Sequence, residues 1–135
     1  MGQHLHIYAS KTLTIYEVNK WGHARAYEYS EVPSAADQPT VNKVQKEMDQ
    51  LRNTDDHFEH WSIWCGPMIW DFLVWDAHLC DTALIDRAIT AASDAMRSHA
   101  GIQKQYPDRD FTVDEAMDFL RAHMGCVVWG DNDGI

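Results

Sequence analysis

The chain has 135 residues, 45% of them hydrophobic and 24% charged, with 21 Asp and Glu against 11 Lys and Arg and a formal net charge of −10. This length suits one domain with a single core, and six Trp with no polar low-complexity tract exclude a disordered chain. The charge opposes direct binding to nucleic acid or to anionic membranes.

The most apolar run, Met68 to Leu79, is broken by Asp71, Asp76 and His78, and the amino-terminal Met-Gly-Gln-His starts no basic-then-apolar leader. A cytoplasmic location is therefore expected. Cys65, Cys80 and Cys126 are odd in number and widely spaced, which fits buried thiols better than a disulfide framework or a zinc knuckle. Residues 1–36 balance Lys11, Lys20 and Arg25 against Glu17, Glu28 and Glu31, so the whole acidic excess lies later in the chain.

Taken in chain order, the first third reads as strands. His4, His6 and Tyr8 alternate with Leu5 and Ile7, and Leu13 and Ile15 alternate with Thr12, Thr14 and Tyr16. Asn19 to Gly22 is expected to turn the chain into a third strand over 23–32, before a polar connector from Pro33 to Pro39. From Thr40 the period changes: Val41, Val44, Met48 and Leu51 share one face of a helix. Phe58, Trp61 and Trp64 suggest a second helix over 54–65, ended by Gly66-Pro67.

A third helix over 68–80 is apolar nearly all round and is expected at the centre of the core, with Phe72 and Leu73 buried. Asp81 is placed to cap a fourth over 82–100, with Leu84, Ile85 and Ala88 inward. Thr112-Val113-Asp114-Glu115 has the spacing of a capping box and opens a helix with Met117, Leu120 and Met124 inward, closed by Gly125. Residues 126–129 form a last strand that ties the chain ends together. The expected fold is α+β, one domain over 1–135, in which a small antiparallel sheet of amino-terminal strands plus one carboxy-terminal strand is packed on one face by four to five helices.

No phosphate-binding glycine loop, Gly-x-Ser-x-Gly elbow or His-Glu-x-x-His occurs, so the chain leans away from enzymes and calls for no cofactor. His57 and His60 would share a helix face, near Asp56 and Glu59, with His4 and His6 as further ligands; this supports a metal-dependent hydrolase as one alternative. Asp71, Trp75 and His78 mark a polar stripe on the third helix, and Asp131-Asn132-Asp133 resembles the start of a calcium loop without its later ligands. Trp61, Trp64, Trp70 and Trp75, with Tyr8, Tyr16, Tyr27 and Tyr29, supply aromatic surface for a second alternative, a nucleotide or other small-molecule binder. The sheet tyrosines are its expected contacts, and Lys11, Lys20 and Arg25 its local cations.

The leading expectation is a non-enzymatic inhibitor or binding protein that docks on a basic surface of a partner protein. Asp55, Asp56 and Glu59 form one acidic cluster and Asp114, Glu115 and Asp118 another, each expected in the first turns of a helix. Small size and acidity suit an accessory factor of a virus or mobile element that blocks a host nucleic-acid-binding protein.

Overall fold

The computed structural model describes residues 3–30, 37–62, 73, 76–91 and 114–132, with backbone alone at 3–4, 26–30, 60–62 and 132. The alternating amino-terminal segment forms β1 (Gln3–Ser10), which pairs antiparallel with β2 (His57–Ser62) on one side and β4 (Val127–Asn132) on the other. A short β3 (His78–Leu79) completes a four-stranded antiparallel sheet in the order β2-β1-β4-β3. The carboxy-terminal strand thus lies beside the first one, as the sequence led us to expect.

The other strands expected in the first third are one helix, α1 (Ile15–Ser30). Its start is a capping box: Glu17 N donates to Thr14 Oγ1 at 3.2 Å, and Thr14 N donates to Glu17 Oε2 at 2.8 Å. Val18, Trp21 and Ala24 then recur at helical spacing and are buried. The alternation of Leu13 and Ile15 belongs to a turn, in which Ser10 Oγ accepts from the N–H groups of Thr12 and Leu13, and Ile15 is exposed. The expected turn at 19–22 and strand at 23–32 therefore fall largely inside α1; positions 31 and 32 lie outside the described residues.

Helix α2 (Gln38–Leu51) is as read from its period, with Asp37 Oδ1 accepting from Thr40 N at 2.8 Å and with Val44 and Met48 buried. The segment expected as a second helix is instead β2. Asn53, at φ 65°, leads the chain out of α2, and the aromatic stretch after it pairs along β1, a tertiary gain that outweighs its helical spacing. Of the third expected helix, Leu73 is helical and fully buried, while 78–79 is a strand; Phe72 lies outside the described residues. Helix α3 (82–91) has the expected Asp81 cap, its Oδ1 accepting from Leu84 N at 2.8 Å. Helix α4 (Asp114–Ala122) buries Ala116, Met117, Phe119 and Leu120.

Met124, expected inward, is 48% exposed because the chain leaves the helix before it. Gly125, at φ 88°, donates to Cys80 O at 2.7 Å while Cys80 N donates to Cys126 O at 2.8 Å. Two residues of one strand thus oppose one of the other, a G1 bulge whose first position needs the left-handed backbone that glycine supplies.

Expected cover on one sheet face is corrected to cover on both. Leu5, Ile7, Ala9, Phe58 and Val128 share a face and pack with Leu84, Ile85 and Ala88 of α3 and Met117, Phe119 and Leu120 of α4. On the opposite face, Tyr8 and Trp129 pack with Leu13, with Val18 and Trp21 of α1, and with Val44 and Met48 of α2. A central strand buried on both sides explains this: Tyr8, expected as a ligand contact, is 0% exposed. Among the described residues no helix is long and apolar enough to cross a membrane.

Candidate functional site

The sheet face under α1 and α2 carries an unusual amount of polar and aromatic chemistry. Register puts Tyr8 opposite both His57 and Trp129, and His6 opposite both Glu59 and Asp131. The rings form a continuous stack, with centroids 5.1 Å apart for His6 and His57, 4.8 Å for Tyr8 and His57, and 5.5 Å for Tyr8 and Trp129. His6 Nδ1 and His57 Nε2 are 2.8 Å apart and share one hydrogen bond. One nitrogen donates and the other accepts, so the bond survives only while at least one ring is neutral. Burial, and then the neighbouring His6, lower the pKa of His57; Glu59 pulls upward and Arg52 adds to the lowering.

Two arginines border the stack. Arg52 Nη2 donates to Tyr8 Oη at 3.4 Å. Arg25, on α1, donates to Asp131 Oδ1 at 2.5 Å and lies 4.7 Å from the centre of the Trp21 ring. Among the described residues Trp129 Nε1 is buried without a hydrogen-bond partner, a donor that a ligand acceptor or a water would satisfy. The arrangement offers an aromatic stack, one indole donor and a hydrogen-bonded histidine pair.

His57 and His60 were expected to share a helix face. Both lie on β2, where positions three apart do not share a face, and His57 meets His6 instead. Among the described residues no three His, Cys, Asp or Glu side chains are grouped to hold a metal. His78 lies on β3 near Arg87, with its Nδ1 3.4 Å from Arg87 Nη2, while Asp71 and Trp75 lie outside the described residues. Asp131, read as the start of a calcium loop, is in a strand and occupied by Arg25. Of the candidate tyrosines, Tyr8 is buried and Tyr16 is 71% exposed on α1, beside Lys20. The cations offered to a phosphate are partly committed, Lys20 to Asp37 and Arg25 to Asp131.

The two acidic clusters have different fates. Asp55 and Asp56 sit in the turn before β2 and Glu59 is on the strand, so the expected helix start is absent there. Asp56 Oδ1 accepts from His123 Nε2 at 3.0 Å, and His123 Nδ1 faces Phe119 O at 2.7 Å. Both ring nitrogens of His123 face acceptors, and the contact with Asp56 fastens the end of α4 to the turn before β2. Glu59 shares the face of His6, opposite to the side on which α4 packs.

Asp114, Glu115 and Asp118 are on α4 as expected and all are exposed, with Arg121 Nη1 donating to Asp118 Oδ1 at 3.3 Å. Glu59 thus lies on the sheet face away from α4, so the six acids do not make one surface.

Of the functional groups, Arg52 and Trp129 were missed in the sequence, and His6, His57 and Tyr8 were named there separately, without the cross-strand stack that joins them. Their signal was the His4-x-His6-x-Tyr8 alternation, which marked a common strand face without indicating what would lie opposite. No family model, curated protein or solved structure matches this chain.

Proposed function

We propose that this chain is a non-enzymatic binding protein that docks on a basic surface of a partner protein, through the outer side of α4. The observation that carries the reading is the division of that helix. Ala116, Met117, Phe119 and Leu120 are committed to the core, which leaves Asp114, Glu115 and Asp118 exposed together, with Asp118 at 77%. Its Arg121 partner is also exposed, so the pair is worth little in water and is readily exchanged for a partner's cation. With a net charge of −10, the chain is drawn to basic surfaces at long range. The partner class is a protein whose basic patch normally engages nucleic acid.

A second reading, a small-molecule binder at the histidine–aromatic face, is favoured by Trp129 Nε1, buried and without a partner among the described residues. One experiment separates the two: affinity capture from a source-cell lysate, analysed for proteins and for released metabolites. Docking predicts a captured basic protein that elutes with moderate salt. Replacing Asp114, Glu115 and Asp118 with Lys should lower its affinity by about 10- to 100-fold with the circular dichroism unchanged. A captured protein indifferent to both salt and charge reversal rejects docking, and a stoichiometric metabolite without a protein supports the second reading.

A further inference from the structure

The sheet edge next to the bulge brings two of the three cysteines face to face. Antiparallel pairing of His78 with Val128 and Leu79 with Val127 leads to Cys80 and Cys126 as the next opposed pair, and Cys80 N donates to Cys126 O at 2.8 Å. The bulge decides this: Gly125 takes up the extra residue and leaves Cys126 opposite Cys80. The two-residue period returns both side chains to the face of Val128, and both are buried in the same core cluster.

Directly opposed residues of antiparallel strands have Cα atoms about 4.5–5.5 Å apart. A disulfide spans about 4.4–6.8 Å between Cα atoms, a range that includes the spacing of directly opposed residues. Cys80 and Cys126 are free thiols, and Cys80 Sγ donates to Leu120 O at 3.1 Å. The Cys80 thiol is pushed up to about 11, first by burial, then by Cys126 and then by Asp81.

We propose that Cys80 and Cys126 are a redox modification site that closes to an intramolecular cross-strand disulfide, with a low-molecular-weight disulfide such as oxidised glutathione as the oxidant. One cysteine loses its proton and attacks the glutathione S–S bond; a mixed disulfide forms and one glutathione thiolate leaves. The second cysteine attacks the protein sulfur of the mixed disulfide, the Cys80–Cys126 bond forms, and the second glutathione leaves. Two protein thiols are oxidised, one glutathione disulfide is reduced to two thiols, and the two protons pass to the leaving groups. The raised thiol makes the first step slow in the closed fold, and β3 is the element that must open. It has two residues, pairs with β4 at the sheet edge, and leaves Leu79 47% exposed. The closed disulfide joins the Asp81 cap of α3 to the end of α4.

The test uses the full chain with Cys65→Ser, equilibrated without denaturant in glutathione redox buffers until the thiol count is constant. The expected result is loss of both remaining thiols and of two hydrogens in intact mass. A single cross-linked peptide pair containing Cys80 and Cys126 should appear in a monomeric band, reversed by dithiothreitol. Cys80→Ala in the same background should yield no intramolecular cross-link. If Cys65→Ser does not fold, peptide mapping of the oxidised native chain reads the same pairing. Two thiols still titratable at the most oxidising ratio, a cross-link to Cys65 or to a second chain, or closure only in urea would overturn the proposal.

Discussion

His57 shows how a single side chain makes the stability of this fold depend on pH. In the folded chain its proton affinity is lowered by burial and by His6, whereas in the unfolded chain it returns to the ordinary histidine value of about 6.5. Between the two values the unfolded state binds the extra proton, so stability rises with pH through that window. The contribution is present above about pH 6.5 and is lost as pH falls towards the lowered folded value. Urea unfolding at pH 7.5 and 5.5 should therefore show weaker stability at the lower pH. His57→Gln, which keeps a neutral hydrogen-bonding group beside His6, should flatten that difference. An equal slope in both proteins would mean that acid sensitivity arises elsewhere. Asp37 and Glu17 are shifted in the same sense as His57, towards lower proton affinity in the folded chain, and act in the same sense on stability. Each carboxyl is lowered, Asp37 by Lys20 and Thr40 and Glu17 by Lys43 and Thr14, so their stabilisation is lost only in stronger acid.

At the scale of elements, the start of α1 is where local chemistry overruled a misleading period. Leu13 and Ile15 alternate like a strand, yet Thr14 and Glu17 satisfy two N–H groups that would otherwise be orphaned at the helix start. The same Glu17 is bonded to Lys43, so this cap also ties α1 to α2. Thr14→Ala should cost about 1 kcal/mol and Glu17→Ala a similar amount, read as a shift of the urea midpoint with the slope unchanged. If the segment depended on strand pairing instead, Thr14→Val would stabilise it; the cap requires that it destabilise. The box at Thr14-x-x-Glu17 was present in the sequence in the same form as the one at 112–115, but two-residue alternation around it outweighed it. For β2 the failure ran the other way: Phe58 and Trp61 recur at helical spacing, and pairing with β1 is a long-range event that spacing does not record.

Across the whole molecule, the sheet is a partition between two hydrophobic layers. One-sided cover would make the α1 and α2 layer dispensable, whereas the observed packing makes it equal to the other. Met48→Ala on one side and Leu84→Ala on the other, both from buried positions, should each cost about 2–5 kcal/mol in equilibrium unfolding. A loss confined to the Leu84 side would restore the one-faced arrangement.

Local signals alone determined the first strand, the capped helices α2 and α3, helix α4, and the last strand, because alternation, helical spacing and caps act within a few residues. They also indicated an antiparallel α+β sheet whose last strand returns to the amino-terminal strand, and an acidic outer side on α4. Tertiary structure decided that β1 is buried on both sides, that His6 meets His57, that Asp56 is used by His123, and that Cys126 opposes Cys80. These outcomes depend on register and on contacts between distant segments: His6 and His57 are 51 positions apart. A residue's own neighbours say which face of a strand it takes, but not which strand comes to lie against it.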